Sequence, residues 1–80
     1  MLFDHANLTD ADLSGADLTG ARFEEADLSN ADLHGADLTG IDWRQIAAVR
    51  NANLTGVKNA PDGFVTWAIQ QGAIQDQSAR

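Results

Sequence analysis

The sequence predicts an all-β solenoid of about three coils, closed at its C-terminal end by a short capping α-helix. Two observations predict it. A five-residue repeat runs from near the start of the 80-residue chain to residue 60, and an amphipathic segment follows Pro61. A short fixed period is typical of proteins in which each unit buries its apolar side chains only by stacking on its neighbours.

Each repeat contains one large apolar residue, which we call its centre. A small or apolar residue lies two positions earlier, so both side chains point inward on an extended chain while the residue between them points outward. The other two residues are of types found in turns. An α-helix is excluded, because apolar residues five apart form no stripe on it. The centres are Phe3, Leu8, Leu13, Leu18, Phe23, Leu28, Leu33, Leu38 and Trp43.

The spacing of the aromatic centres predicts how many repeats make one coil. Three of them recur every twenty residues, which is four repeats: Phe3, Phe23 and Trp43. A four-sided coil would stack them as an interior aromatic column. The same register predicts two ion pairs between adjacent coils, because opposite charges on neighbouring strands attract. These pairs are Arg22 with Asp42 and Glu24 with Arg44.

The register slips by one residue in the third coil. Counting back from Leu54 gives Val49 as a centre and Ala47 as its inward partner. We therefore expect one residue to be inserted near Gln45-Ile46, as a bulge or a widened corner.

The chain changes character after Ala60. Pro61 suits the first turn of a helix and Gly72 suits its left-handed stop. Three apolar residues between them follow the i, i+3, i+4 rule and form the predicted cap: Phe64, Trp67 and Ala68. We expect a repeat region over 1–60, a capping segment over 61–74 and a disordered tail over 75–80.

The repeats, for example Ala11-Asp12-Leu13-Ser14-Gly15, resemble those of the pentapeptide repeat family, and the resemblance covers about three quarters of the chain. It implies a right-handed quadrilateral β-helix, with the centre and the residue two before it inside. It also implies a range of functions. The best-known members of the family are acidic dimeric rods that resemble duplex DNA, act on DNA gyrase and confer quinolone resistance.

The composition limits the classes of molecule that this chain could bind. The net charge of −7 argues against direct binding to DNA, RNA or anionic lipid, which require clusters of Lys and Arg, and leaves a basic protein partner open. The chain has no cysteine. Its longest apolar run, Ile46-Ala47-Ala48-Val49, is far too short to span a membrane, and the N-terminus does not resemble a signal peptide. We expect a cytoplasmic protein.

Outward aspartates form ladders that have three interpretations. They are a negative surface that imitates phosphates, side chains that hydrogen-bond to corner amides and keep the protein soluble, or a calcium site. The second is favoured, and no loop offers the six or more oxygens that calcium requires. The four residues, Asp12, Asp17, Asp32 and Asp37, are the candidate partner surface. No catalytic, cofactor-binding or metal-binding residue is predicted, and we expect no enzymatic activity.

The N-terminal end is expected to be uncapped, since inward positions begin with the first residue. An exposed apolar face of this kind marks an interface, and we expect a homodimer through it. Its candidate residues are Met1, Phe3, Leu8, Leu13 and Leu18. The leading function is a non-catalytic protein-interaction or scaffold module with an unknown partner. The alternative is an acidic DNA mimic that binds a DNA-binding enzyme such as DNA gyrase.

Overall fold

The computed structural model describes residues 3–75 of the chain. Within them the backbone completes one turn of a stack about every twenty residues, and we call each turn a layer. The layers are 3–22, 23–42 and, with one residue more, 43–63. Eight isolated parallel bridges occur, seven between these layers and one from the third layer to Ile74, and none extends into a longer strand among the described residues. The bridges fall into four columns per layer, of which the longest runs through Asp12, Asp32, Asn53 and Ile74. Four repeats per layer, as predicted, therefore stack in parallel register.

The repeats are separated by tight turns. The N–H of Ala16 donates to the carbonyl of Leu13 at 3.1 Å, which closes a four-residue turn. Its third residue, Gly15, has φ +69°, and the equivalent Asn30 has φ +63°. A positive φ at the third residue alone defines a type II turn, which favours glycine or asparagine there. The two polar residues that follow each centre thus turn the chain toward the next column.

The second layer forms the middle of the core. The inward residues from the end of the first layer through Leu38 are all buried, as the register predicts: Ala21, Phe23, Ala26, Leu28, Ala31, Leu33, Ala36 and Leu38. Leu33 lies between Leu13 and Leu54, since the Leu13 N–H donates to Asp32 in the layer above it and the Leu33 N–H donates to Asn53 in the next layer up. Alanine at every second inward position lets the facing columns approach, so that a narrow interior is filled.

The inserted residue lies further along the chain than the sequence indicated. Asp27 lies opposite two residues of the next layer, because its neighbours bond to successive residues there: the carbonyl of Ala26 accepts from the N–H of Ala47, while the N–H of Leu28 donates to the carbonyl of Ala48. Two residues opposite one define a bulge. The predicted inward position of Ala47 is wrong: Ala47 is exposed, and Ile46 is buried in its place. Burying isoleucine removes more apolar surface from water than burying alanine.

The predicted charge pairs are also different in the structure. The backbones of Arg22 and Asp42 do form a bridge. The Arg22 guanidinium, however, contacts Asp4 at 3.0 Å and Glu24 at 3.1 Å, and no ion pair within residues 3–75 involves Asp42 or Arg44. Arg22 thus reaches two carboxylates on its own face instead of the one beside its backbone.

The aromatic column is confirmed in its lower half. The rings of Phe3 and Phe23 stack with centroids 5.2 Å apart and planes 7° apart. Trp43 contacts the cap instead, with its ring 5.6 Å from Phe64 and 5.3 Å from Trp67. Phe64 follows Trp43 by 21 residues, so the column continues into the helix.

The helix that covers the third layer is shorter than the predicted capping segment. Helix α1 spans Phe64–Gln70, begins after Gly63 at φ +87°, and is followed by Gly72 at φ +105°. Pro61 lies before it. Phe64 and Ala68 are buried and Trp67 is half-buried, so the three cap residues face the core to different extents.

After the helix the chain rejoins the stack. The N–H of Ile74 donates to Ala52 at 2.7 Å, and the carbonyl of Ile74 accepts from Leu54 at 2.7 Å. Ala73 is buried, as an inward residue of a repeat would be. Residues 73–75 therefore form one more bridged segment above the third layer. The sequence indicated only that residues 73 and 74 belong to the cap. The remainder of the predicted tail lies outside the described residues.

Candidate interaction surfaces

The four candidate aspartates lie in two neighbouring columns. Asp12 bridges to Asp32, and Asp17 bridges to Asp37, so each pair is stacked as the register predicts. In the third layer the first column continues with Asn53 and the second with Lys58. Each ladder is therefore two carboxylates tall and ends in a residue without negative charge.

Each of these carboxylates is bonded to the turn that follows it. Asp12 Oδ1 accepts from the N–H of Ser14 at 3.0 Å and from its hydroxyl at 2.6 Å, and Asp17 Oδ1 accepts from Thr19 in the same way, at 3.1 and 2.6 Å. Asp32 and Asp37 accept from the amides two residues on. The predicted hydrogen bonds to corner amides are confirmed.

These bonds also fix the charge of the ladder. The hydroxyl and then the amide of Ser14 lower the pKa of Asp12, and those of Thr19 lower the pKa of Asp17, because both donors favour the ionised carboxylate. Thr39 does the same to the pKa of Asp37, with smaller effects from Asn59 and Lys58. The carboxylates of Asp12, Asp17 and Asp37 are therefore ionised at neutral pH.

The aspartates do not assemble into a cation site. Within residues 3–75, no group of three or more His, Asp or Glu side chains lies close enough to share a metal ion. The calcium interpretation thus finds no support in that part of the chain.

The first layer presents a partly open apolar face. Phe3, Leu8 and Leu13 are only half-buried, whereas Leu18 is 2% exposed. Leu18 is therefore not part of an exposed face, contrary to the prediction, and Met1 lies outside the described residues. The predicted interface reduces to three half-buried side chains in neighbouring columns.

The backbone along this face is also unpaired. In the second layer, the N–H of Asp32 donates to Ala11 below, and its carbonyl accepts from Leu13. The corresponding groups of Asp12 make no hydrogen bond within residues 3–75, and the same is true of Asn7 and Asp17. Three positions on this edge therefore offer both a donor and an acceptor to a further strand.

A second feature was not predicted from the sequence. A cavity of about 270 Å³ lies between the bulge at Ala47 and Ala48 and the side of helix α1, where Trp67 and Gln71 contribute to its lining. The slip in the repeat was the only sequence signal for it, since a bulge widens the wall on which the helix rests.

Comparison with known proteins gives one result. The model of the family described as pentapeptide repeats matches residues 6–42, with eight copies of the repeat. Searches of the curated proteins and of the solved structures found no match to this chain. In the described part of the chain, no helix is long and apolar enough to cross a membrane.

Proposed function

We propose that this chain, whose residues 6–42 match the model of the pentapeptide repeat family, is a right-handed quadrilateral β-helix that acts as a non-catalytic protein-interaction or scaffold module. The four bridge columns and the type II turns between them support the proposed fold. Among residues 3–75 no polar or charged residue is buried. Active sites usually shift pKa values by burying ionisable groups.

The observation that carries the interaction function is the first layer. Half-buried side chains lie there beside backbone groups that have no partner in the described residues. Unpaired edges next to apolar side chains are where further strands add to a sheet. The proposed occupant is a second copy of the chain, which is already matched in spacing. Two copies related by a two-fold axis would cover both faces at once.

Analytical ultracentrifugation of the full chain tests the dimer. We expect the wild type to sediment as a dimer at micromolar concentration and Leu8→Lys to sediment as a monomer that is still folded, because Leu8 is half-buried at the face. Thr9→Lys is the matched control. It adds the same charge at the adjacent exposed residue and is expected to leave the dimer intact.

A wild type that remains monomeric contradicts the homodimer. The scaffold function would then be tested by affinity capture from the native cell extract, comparing wild type with Leu8→Lys. Loss of a bound protein in Leu8→Lys but not in Thr9→Lys would assign the face to another partner.

The second candidate is a DNA mimic directed at a DNA-binding enzyme such as DNA gyrase. It is favoured by the stacking of Asp12 on Asp32 and of Asp17 on Asp37, which places two short rows of carboxylates on the surface. Such binding would weaken steeply with salt and compete with duplex DNA. Asp17→Asn with Asp37→Asn would abolish it and leave the dimer intact. Competition that survives this double substitution contradicts mimicry through the ladder.

A further inference from the structure

In the column of Leu8, Leu28 and Val49, the backbone hydrogen bond that would lead upward from the third layer is missing within the described part of the chain. In this column the N–H of Leu8 donates to Asp27 at 2.8 Å, and the N–H of Leu28 donates to Ala48 at 2.8 Å, each toward the layer above. Val49 is the equivalent residue of the third layer, and its N–H has no acceptor within residues 3–75. Pairing resumes two residues later, where the Asn51 N–H donates to Gly72 at 2.9 Å.

The missing hydrogen bond coincides with the cavity. Helix α1 replaces the strand that would continue the column, and the space of about 270 Å³ between the helix and the bulge is lined by Val49. By the register of the lower layers, the N–H of Val49, a residue that is only 1% exposed, points toward this space.

The side chains around the cavity are donors beside an aromatic surface. Arg50 is exposed and forms no ion pair within residues 3–75. Its stem packs against Gly72, where an added Cβ would lie 3.5 Å from Arg50 Cγ. Gln71 and the half-buried Trp67 complete the opposite side.

No acidic residue lines this cavity, although the chain as a whole carries a net charge of −7. An unpaired backbone N–H beside a guanidinium offers donors that bind a carboxylate, and an indole favours an apolar group next to the charge. We propose that this groove binds a small carboxylate that carries an apolar or aromatic group. The ligand is a free organic acid or the C-terminal carboxylate of a peptide, which share this chemistry.

The size of the cavity limits the ligand. About 270 Å³ is just below the range of sites for drug-sized molecules, so one ring and a short acid chain fill it. For a ligand of about ten heavy atoms in a shallow groove, we expect a Kd on the order of 1 mM.

The test is a titration of the full-length ¹⁵N-labelled chain with 3-phenylpropionate, followed by NMR. We expect saturable shifts of the Val49 amide and of the Trp67 indole N–H, and none with 3-phenylpropionamide, which lacks the charge. Arg50→Gln is expected to raise Kd about tenfold, the loss of one charge-assisted hydrogen bond. Arg44→Gln removes an equally exposed arginine outside the cavity and is expected to leave Kd unchanged.

A second titration with acetyl-Gly-Phe, as acid and as amide, distinguishes the two sources. Tighter binding of the peptide acid than of phenylpropionate assigns the site to a peptide C-terminus, and equal or weaker binding assigns it to free acids. The proposal is overturned if the Val49 amide does not shift with either acid up to about 20 mM, well above the expected Kd. It is also overturned if Arg44→Gln and Arg50→Gln weaken binding equally.

Discussion

Leu8 and Leu13 in the first layer are half-buried, whereas Leu28 and Leu33, at the same positions one layer further on, are 1% and 2% exposed. All four belong to nearly identical repeats with the same turns. The difference is the number of neighbouring layers, since the second layer is covered on both sides. Burial in this protein is therefore a property of stacking, and a single repeat cannot supply it.

The C-terminal end meets the same requirement with a different element. Val49 and Leu54 in the third layer are 1% and 0% exposed, because helix α1 and the bridged segment at Ile74 lie over them. One end is thus covered by the chain itself, and the other remains half-open within the described residues. From this comparison we expect the cap to be needed for stability, and the half-open first layer is the face at which we propose binding.

Removing the cap is expected to have the largest effect. Deletion of residues 61–80 would expose the apolar side chains of the third layer together with an unpaired edge, so we expect aggregation of the fragment. Size-exclusion chromatography with light scattering measures this. Deletion of residues 76–80 alone is the control and is expected to change nothing. A soluble 1–60 fragment that unfolds cooperatively would show that the third layer does not need the helix.

Truncating matched leucines sharpens the contrast between layers. Leu33→Ala is expected to lower the free energy of unfolding by about 2–5 kcal/mol, because it leaves a cavity between two layers. Leu13→Ala, in the same column, is expected to cost clearly less, since Leu13 is already half-exposed. Urea denaturation of both variants measures the difference.

The control for this pair is Asp32→Asn, which is expected to be nearly neutral. The amide oxygen can still accept the hydrogen bond that His34 donates to Asp32. Equal losses in Leu33→Ala and Asp32→Asn would contradict the register. Equal losses in Leu33→Ala and Leu13→Ala would indicate that the first layer is covered in solution, as it would be in a dimer.

The smallest expected effect is a pH dependence of the free energy of unfolding, to which the first and second layers contribute alike. The folded-state pKa values of Asp17 and Asp37 are lowered, so the stability that they contribute is present above the unfolded pKa of about 3.9 and is lost as pH falls through the folded value. Thr19→Ala and Thr39→Ala remove the hydroxyl that is the main cause. We expect each to reduce the loss of stability below about pH 4, and to similar extents, because the turns do not depend on stacking.

Thr19→Ser keeps the hydroxyl and serves as the control, with acid unfolding expected to match the wild type. Urea denaturation across acidic pH measures these effects. A change in Thr39→Ala alone would mean that the first-layer turn is not formed in solution.

Much of this architecture could be predicted because its determinants are local. The hydrogen bond that Ser14 donates to Asp12 and the positive φ of Gly15 involve residues no more than three apart, so the repeat itself specifies each turn. The inward positions of the second layer follow from the alternation of an extended chain. The ladder of Asp12 and Asp32 follows from the twenty-residue spacing of the aromatic centres, once four repeats make a layer.

Only the tertiary structure decided the features that depend on contacts with the neighbouring layers. Ile46 rather than Ala47 turned inward, because the position over the second layer accommodates the larger side chain. The Arg22 guanidinium pairs with Asp4 and not with Asp42, the residue to which its backbone is bridged, because a long side chain can reach several carboxylates. Local hydrogen bonds are determined by residues close in sequence, whereas packing and long-range charge pairs are selected by competition among layers that meet only after folding.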